Sequence, residues 1–72
     1  MDIFAERLTQ IIDETGLSRA EVCRILDIHP PTLSKYLHGK SGMSLETLKK
    51  VCKTFNVSAN WLLGISNIKG LR

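Results

Sequence analysis

The segment from Ser18 to Gly39 most constrains the fold, because it carries signals for two short helices with very few residues between them. Ser18 is a favourable N-cap, and Glu21 three residues later completes a capping box, so the first helix is predicted to begin here. The residues Asp27 to His29 break the helical run, and two prolines follow. Proline suits the first turn of a helix, where amide donors are not needed. The sequence therefore predicts two helices joined by a three-residue turn.

The second of these helices is predicted to have two chemically different faces. Its apolar residues recur three and four positions apart and form one buried stripe of Leu33, Tyr36 and Leu37. The opposite side carries small, polar and basic residues: Pro31, Ser34, Lys35 and His38. We expect this second face to be exposed and available to a partner.

Several short motifs along the chain carry a family resemblance through their order and spacing. They are G-L-S at 16–18, Cys23, Ile28, Thr32-Leu33-Ser34, Gly39-Lys40, S-L-E-T-L at 44–48 and V-S-A-N-W-L-L-G at 57–64. Over about residues 3 to 64 the chain resembles the helix-turn-helix domains of the Cro and lambda-repressor-like family of bacterial and phage transcription regulators. It departs from the family at Arg19, Asp27 and His29, where Gln, Gly and a small polar N-cap are usual. Asp tolerates the positive φ that this turn position requires better than most residues.

The rest of the chain carries signals for three further helices, with bounds near Asp2 to Thr15, Ser44 to Asn56 and Ser58 to Gly64. The buried stripe of the fourth helix is predicted to hold Leu45, Leu48, Val51, Cys52 and Phe55. Five helices with short connections predict a compact all-α bundle. This agrees with the fold that the resemblance implies, a five-helix lambda-repressor-like DNA-binding domain in residues 1–64 whose helix-turn-helix is formed by helices 2 and 3.

Residues 65–72 form a short tail with Ile65, Ile68 and Leu71 spaced three apart. The tail either docks on the core or on a second subunit, or it frays, since so short a segment with an internal glycine seldom holds a helix alone. Trp61 is either a core anchor or a dimer contact, because aromatic residues are favoured in both places. The candidate surface for a homodimer contains Trp61, Leu63, Ile65 and Ile68.

The charge distribution is asymmetric along the chain. Residues 1–27 hold six acidic and three basic residues, whereas residues 28–72 hold one acidic and seven basic residues. The two parts therefore carry net charges of −3 and +6, which suits a protein with one side that faces an anion. Seventy-two residues make one domain, and no run of eighteen apolar residues or signal segment is present, so we expect a cytoplasmic protein without a membrane partner.

The resemblance implies binding to double-stranded DNA, as a repressor, with the second helix of the motif in the major groove. The residues that would then approach base edges are Pro30, Pro31, Thr32, Ser34 and Lys35. The residues expected at the DNA backbone are Arg19, His38, Lys40 and Ser41. The Pro30-Pro31 pair is atypical of the family, so base preference does not transfer from relatives.

Two other functions remain open. The same fold serves in protein-interaction modules such as antitoxin-like or adaptor domains, which would need apolar residues on the outward face of the second helix. Cys23, His29, His38 and Cys52 formally make a zinc ligand set, but their spacing lacks the close Cys or His pair of structural zinc sites. We expect reduced cysteines, no metal or cofactor, no small-molecule substrate and no enzyme activity.

Overall fold

The computed structural model describes residues 2–40 and 42–70 and contains five helices in these ranges. They are α1 (Ile3–Thr15), α2 (Arg19–Leu26), α3 (Pro30–Leu37), α4 (Leu45–Phe55) and α5 (Ala59–Leu62). The predicted all-α fold is confirmed, as is the three-residue turn between the second and third helices. Two bounds differ slightly, because α3 ends at Leu37 rather than at Gly39, and Leu63 caps α5 rather than continuing it.

The helices pack around one apolar core. α3 packs against α1 and α2, whereas α5 packs against α1 and α4, and α4 also contacts α2. The core contains the following buried residues: Leu8, Ile11, Ile12, Val22, Cys23, Leu26, Leu33, Tyr36, Val51, Val57, Trp61 and Leu62. Because α3 packs against both α1 and α2, its stripe of Leu33 and Tyr36 is buried, whereas Pro30, Pro31 and Lys35 are exposed.

Local signals at the helix ends agree with the sequence. The hydroxyls of Ser44 and Ser58 cap α4 and α5, accepting from the amides three residues later. Asn56 ends α4 in the left-handed region, with φ of 55°. Asn adopts this conformation more readily than most residues, so the helix stops without a glycine.

The prediction for the buried stripe of α4 is wrong at Leu45, which is 79% exposed. Leu45 is the first residue of α4, and helical side chains tilt toward the N-terminus, so this side chain extends past the edge of the core. Val51 is fully buried, and Cys52 is only partly buried. Leu48 and Phe55 are partly buried and pack against the core.

The tail is ordered as far as the structure describes it, and it does not form a helix. Val57 and Gly70 make an isolated antiparallel bridge, which brings the tail back to the start of α5. Ile65 and Ile68 point outward, so the tail docks through its polar groups rather than its apolar side chains. Leu71 lies outside the described residues.

No helix within residues 2–40 and 42–70 combines the length and the apolar character needed to cross a membrane.

Candidate nucleic-acid interface

The start of α2 is fixed by the predicted capping box. Ser18 Oγ accepts from the amide of Glu21 at 3.1 Å, and Glu21 Oε1 accepts from the amide of Ser18 at 2.9 Å. The hydrogen bonds from the Ser18 backbone and hydroxyl lower the pKa of the Glu21 carboxyl below its ordinary value. Arg19 follows directly as the first residue of α2, and it is exposed. The capping box therefore fixes the backbone that carries this cation.

The turn between α2 and α3 depends on a left-handed residue. Asp27 has φ of 56°, and its amide donates to the carbonyl of Arg24 at 3.3 Å. The amide of Ile28 then donates to the carbonyl of Cys23 at 3.0 Å, and the Ile28 side chain packs against the core. The expected positive φ is thus confirmed, and the turn sets the angle between the two helices.

The start of α3 has no side-chain cap, and its first two residues are prolines. His29 is the N-cap, but its side chain makes no capping hydrogen bond; its carbonyl instead accepts from the amides of Thr32 and Leu33. Pro30 and Pro31 occupy the first two helical positions, where their missing amide donors cost nothing. Both prolines are exposed.

The outward face of α3 is largely as predicted. Lys35 is exposed to solvent, whereas Thr32 and Ser34 are half-buried. His38 is exposed, but its Nδ1 donates to the carbonyl oxygen of Ser34 at 2.7 Å, which leaves only Nε2 to face outward. The face therefore offers one ammonium group, one imidazole nitrogen, two hydroxyls and the proline rings.

Lys40 follows α3 closely. Its amide donates to the carbonyl of Lys35 at 2.9 Å, so the two lysines lie about one helical turn apart. Gly39 between them has φ of 69°, and a Cβ at Gly39 would come within 3.0 Å of Asp2, so glycine is required there. Ser41, also predicted at the DNA backbone, lies outside the described residues.

The two flanks of α3 differ in charge. Toward α1, a groove beside Leu37 and His38 is lined by the acidic residues Asp2, Glu6 and Asp13. Arg19, Lys35 and Lys40 are exposed, and none of the three pairs with a carboxylate within residues 2–40 and 42–70. Lys40 lines a second groove, which shares Asp2 with the first. A polyanion is therefore attracted to the cations on and beside α3, and it is repelled by the acidic groove on the α1 side.

The cysteines do not form a site. Cys23 is buried and Cys52 is partly buried, and both are free thiols. Burial raises the pKa of the Cys52 thiol, which makes it a poor nucleophile. The described residues contain no cluster of three or more His, Cys, Asp or Glu side chains placed to hold a metal ion.

Replacing both cysteines with alanine is expected to lower the free energy of unfolding by roughly 1 kcal/mol at Cys23, where a small buried side chain is removed, and by less at Cys52, which is only partly buried. Chemical denaturation would measure the change, and titration of duplex DNA at a temperature where the variant is folded should give wild-type binding. A folded variant that no longer binds DNA, or wild-type binding that requires zinc, would contradict this expectation.

Sequence reasoning missed Arg7. This side chain in α1 donates to the carbonyls of Trp61 and Ser66, which lie 54 and 59 residues along the chain. Its guanidinium also lies 4.9 Å from the centre of the Trp61 ring, and Trp61 itself is only 5% exposed. Trp61 is thus a core residue with little surface left for a partner. No local pattern around Arg7 signals contacts across so much of the chain.

Comparison with known proteins agrees with this geometry. Residues 7–65 match the family model described as the Cro/C1-type HTH DNA-binding domain. The chain is also similar, at 29% identity over 77 residues, to the HTH-type transcriptional regulators for conjugative elements R391 of Providencia rettgeri, SXT of Vibrio cholerae and pMERPH of Shewanella putrefaciens. Each alignment covers 96% of this chain and 35% of the relative, so the chain spans about a third of the length of these relatives. With most of its length matched and its two central helices in the expected arrangement, the chain belongs to the Cro/C1-type helix-turn-helix family of DNA-binding domains.

Proposed function

We propose that the protein is a cytoplasmic, sequence-specific transcription regulator that represses by binding a two-fold-related operator as a homodimer, with α3 in the major groove. The family match supports DNA binding, and the relatives from the three conjugative elements are transcriptional regulators. No catalytic step is part of this proposal. The observation that carries it is the exposed face of α3, which holds Lys35 and has Arg19 and Lys40 on the adjoining helix and loop; in the part of the chain that the structure describes, none of these cations pairs with a carboxylate.

The base contacts are assigned to the first half of α3, which enters the groove first. Lys35 would donate to guanine O6 or N7, and Thr32 would offer its hydroxyl to several bases or its methyl group to thymine. Ser34 lies beside them with a hydroxyl. Pro30 and Pro31 have only apolar surface, so they would contact thymine methyl groups, which predicts at least one thymine in each half-site.

The backbone contacts are assigned to the cations around α3. Arg19 and Lys40 would each hold a phosphate and so fix the register of α3 on the duplex. Ser41 is proposed beside Lys40 from the sequence alone. His38 would reach a phosphate only through Nε2, and the acidic groove next to it disfavours an anion there, so it is the weakest of the four contacts.

A homodimer follows from the size of the recognition surface, because one helix spans too few base pairs to select a site in a genome. The candidate contact is the exposed apolar surface after α5, formed by Leu63, Ile65 and Ile68. Trp61 is left out of this surface, because its side chain is buried.

Selection of bound duplexes from a random library tests the proposal directly. The expected result is two related half-sites whose centres are separated by about 10 base pairs or a multiple of that spacing. A single unpaired half-site would contradict the dimeric arrangement. If no sequence is enriched and binding to DNA depends only on charge, the alternative function is favoured, in which the same fold serves as a protein-interaction module.

A further inference from the structure

The residues Ser66–Gly70 form a strap that runs back across α1 and the start of α5. The amide of Ser58 donates to the carbonyl of Lys69 at 2.7 Å, and Val57 and Gly70 make the antiparallel bridge. The amide of Ser66 also donates to the carbonyl of Asn60 at 3.2 Å. The strap is therefore attached by its backbone, at both of its ends.

Arg7 joins the strap to the rest of the domain. Nη1 of Arg7 donates to the carbonyl oxygens of Trp61 and Ser66, and Nη2 lies 3.4 Å from Oδ1 of Asn67. The guanidinium also lies against the Trp61 ring, where a cation is attracted by the ring face. One side chain thus connects α1, α5 and the strap, and it uses the planar fork of donors that only Arg offers.

Lys69 provides a second, weaker attachment. Its ammonium pairs with Glu14 of α1 and lies 5.4 Å from the centre of the Trp61 ring. The hydrogen bond from Lys69 lowers the pKa of the Glu14 carboxyl. Both side chains of this pair are partly exposed, and exposed ion pairs contribute little to stability. Arg7 therefore contributes most of the side-chain stabilisation that holds the strap in place.

This arrangement turns the apolar side chains of the tail outward. Ile65 and Ile68 are 74% and 72% exposed, and Leu63 is 47% exposed. Ile3 borders the same region, because a Cβ at Gly64 would come within 2.7 Å of its Cγ2. A tail that packed on the domain through the hydrophobic effect would bury these side chains. Here the backbone of the tail is hydrogen-bonded to the domain, and the apolar side chains are exposed to solvent.

The charge around this surface indicates its occupant. Within and beside the strap, the guanidinium of Arg7 is held among carbonyl oxygens, and Lys69 forms an ion pair with Glu14. Ile65 and Ile68 therefore present apolar surface without an unpaired ammonium group of the strap to attract a polyanion, and the same surface on a second copy can meet it across a two-fold axis. A second copy of the chain therefore fits this surface better than DNA or a charged protein does.

We propose that Arg7 is a positioning residue for self-association: by holding the strap against α1 and α5, it sets Ile65 and Ile68 outward as the contact for a second copy. This inference rests on the proposed function for its two-fold geometry. It adds that Arg7, which lies outside the contact itself, determines whether Ile65 and Ile68 are placed to form it.

Analytical ultracentrifugation of four variants tests the inference. The Ile65→Ser, Ile68→Ser double variant should weaken self-association by roughly tenfold or more and leave the free energy of unfolding unchanged. Arg7→Met should weaken self-association to a similar degree while circular dichroism shows a folded domain. Arg7→Lys should retain part of the self-association, because an ammonium group can still lie over the face of the Trp61 ring. Cys23→Ala, a destabilising change in the part of the core that belongs to α2, is the matched control and should associate like the wild type.

A second readout reports the strap itself. In Arg7→Met, the methyl NMR signals of Ile65 and Ile68 should shift in the monomer, whereas in Cys23→Ala they should not. The inference is overturned if the wild type stays monomeric both free and on a duplex with two half-sites, or if either Arg7→Met or the double Ile variant associates normally. It is also overturned if the double Ile variant loses affinity for a single half-site, which would place DNA on this surface. A wild type that binds no duplex, yet associates through these residues, would refute the proposed function alone.

Discussion

Leu33→Ala is expected to lower the free energy of unfolding by about 2 to 5 kcal/mol, because the side chain is 1% exposed and its removal leaves a cavity between α3 and the core. A domain of 72 residues has a total stability of roughly 4 to 11 kcal/mol, so much of the population would unfold at moderate temperature. Urea denaturation followed by circular dichroism would measure the change.

Leu45→Ala is the matched control, because it removes the same atoms from the first residue of another helix. Leu45 is exposed, and alanine is the better helix former, so the change should stay within about 0.5 kcal/mol. If Leu45→Ala costs as much as Leu33→Ala, the Leu45 side chain is covered in solution, and α4 does not begin at the edge of the core. If both changes are harmless, Leu33 does not hold α3 in place.

The contrast between these two leucines shows what hydrophobic periodicity determines. Leu33 and Leu45 occupy equally regular positions in their stripes, and the sequence assigns both to the core. Burial also depends on where a helix begins relative to the core, and that position is set by the preceding loop and by packing between helices. The cap at Ser18 and the left-handed stops at Asp27 and Asn56 were predictable, because they depend on neighbouring residues alone.

In the candidate interface, too, some features could be predicted from the sequence and others could not. The outward position of Lys35 follows from the spacing of one helix, and the structure agrees. The partial burial of Ser34 and the hydrogen bond from His38 to its carbonyl depend on rotamers that periodicity does not fix. The role of Arg7 depends on contacts with residues more than fifty positions away, so only the folded chain reveals it.

Lys35→Ala is expected to weaken binding to the selected operator by about 1 to 3 kcal/mol and to relax preference at one base pair, because a hydrogen bond to a base edge is removed. Binding to a scrambled duplex should change less, since non-specific affinity comes from phosphates. The Lys35 side chain is exposed, so the stability of the domain should stay nearly constant.

Arg19→Ala and Lys40→Ala should behave differently, because each leaves one phosphate per subunit without its cation. Affinity should then fall by a similar factor on every sequence, and the slope of log affinity against log salt should shrink by roughly one unit for each phosphate that is no longer neutralised. Titration of the three variants against the operator and a scrambled duplex, each at several salt concentrations, separates the two behaviours. If Lys35→Ala weakens both duplexes equally and reduces the salt slope, Lys35 binds a third phosphate, and base recognition rests on Thr32, Ser34 and the two prolines.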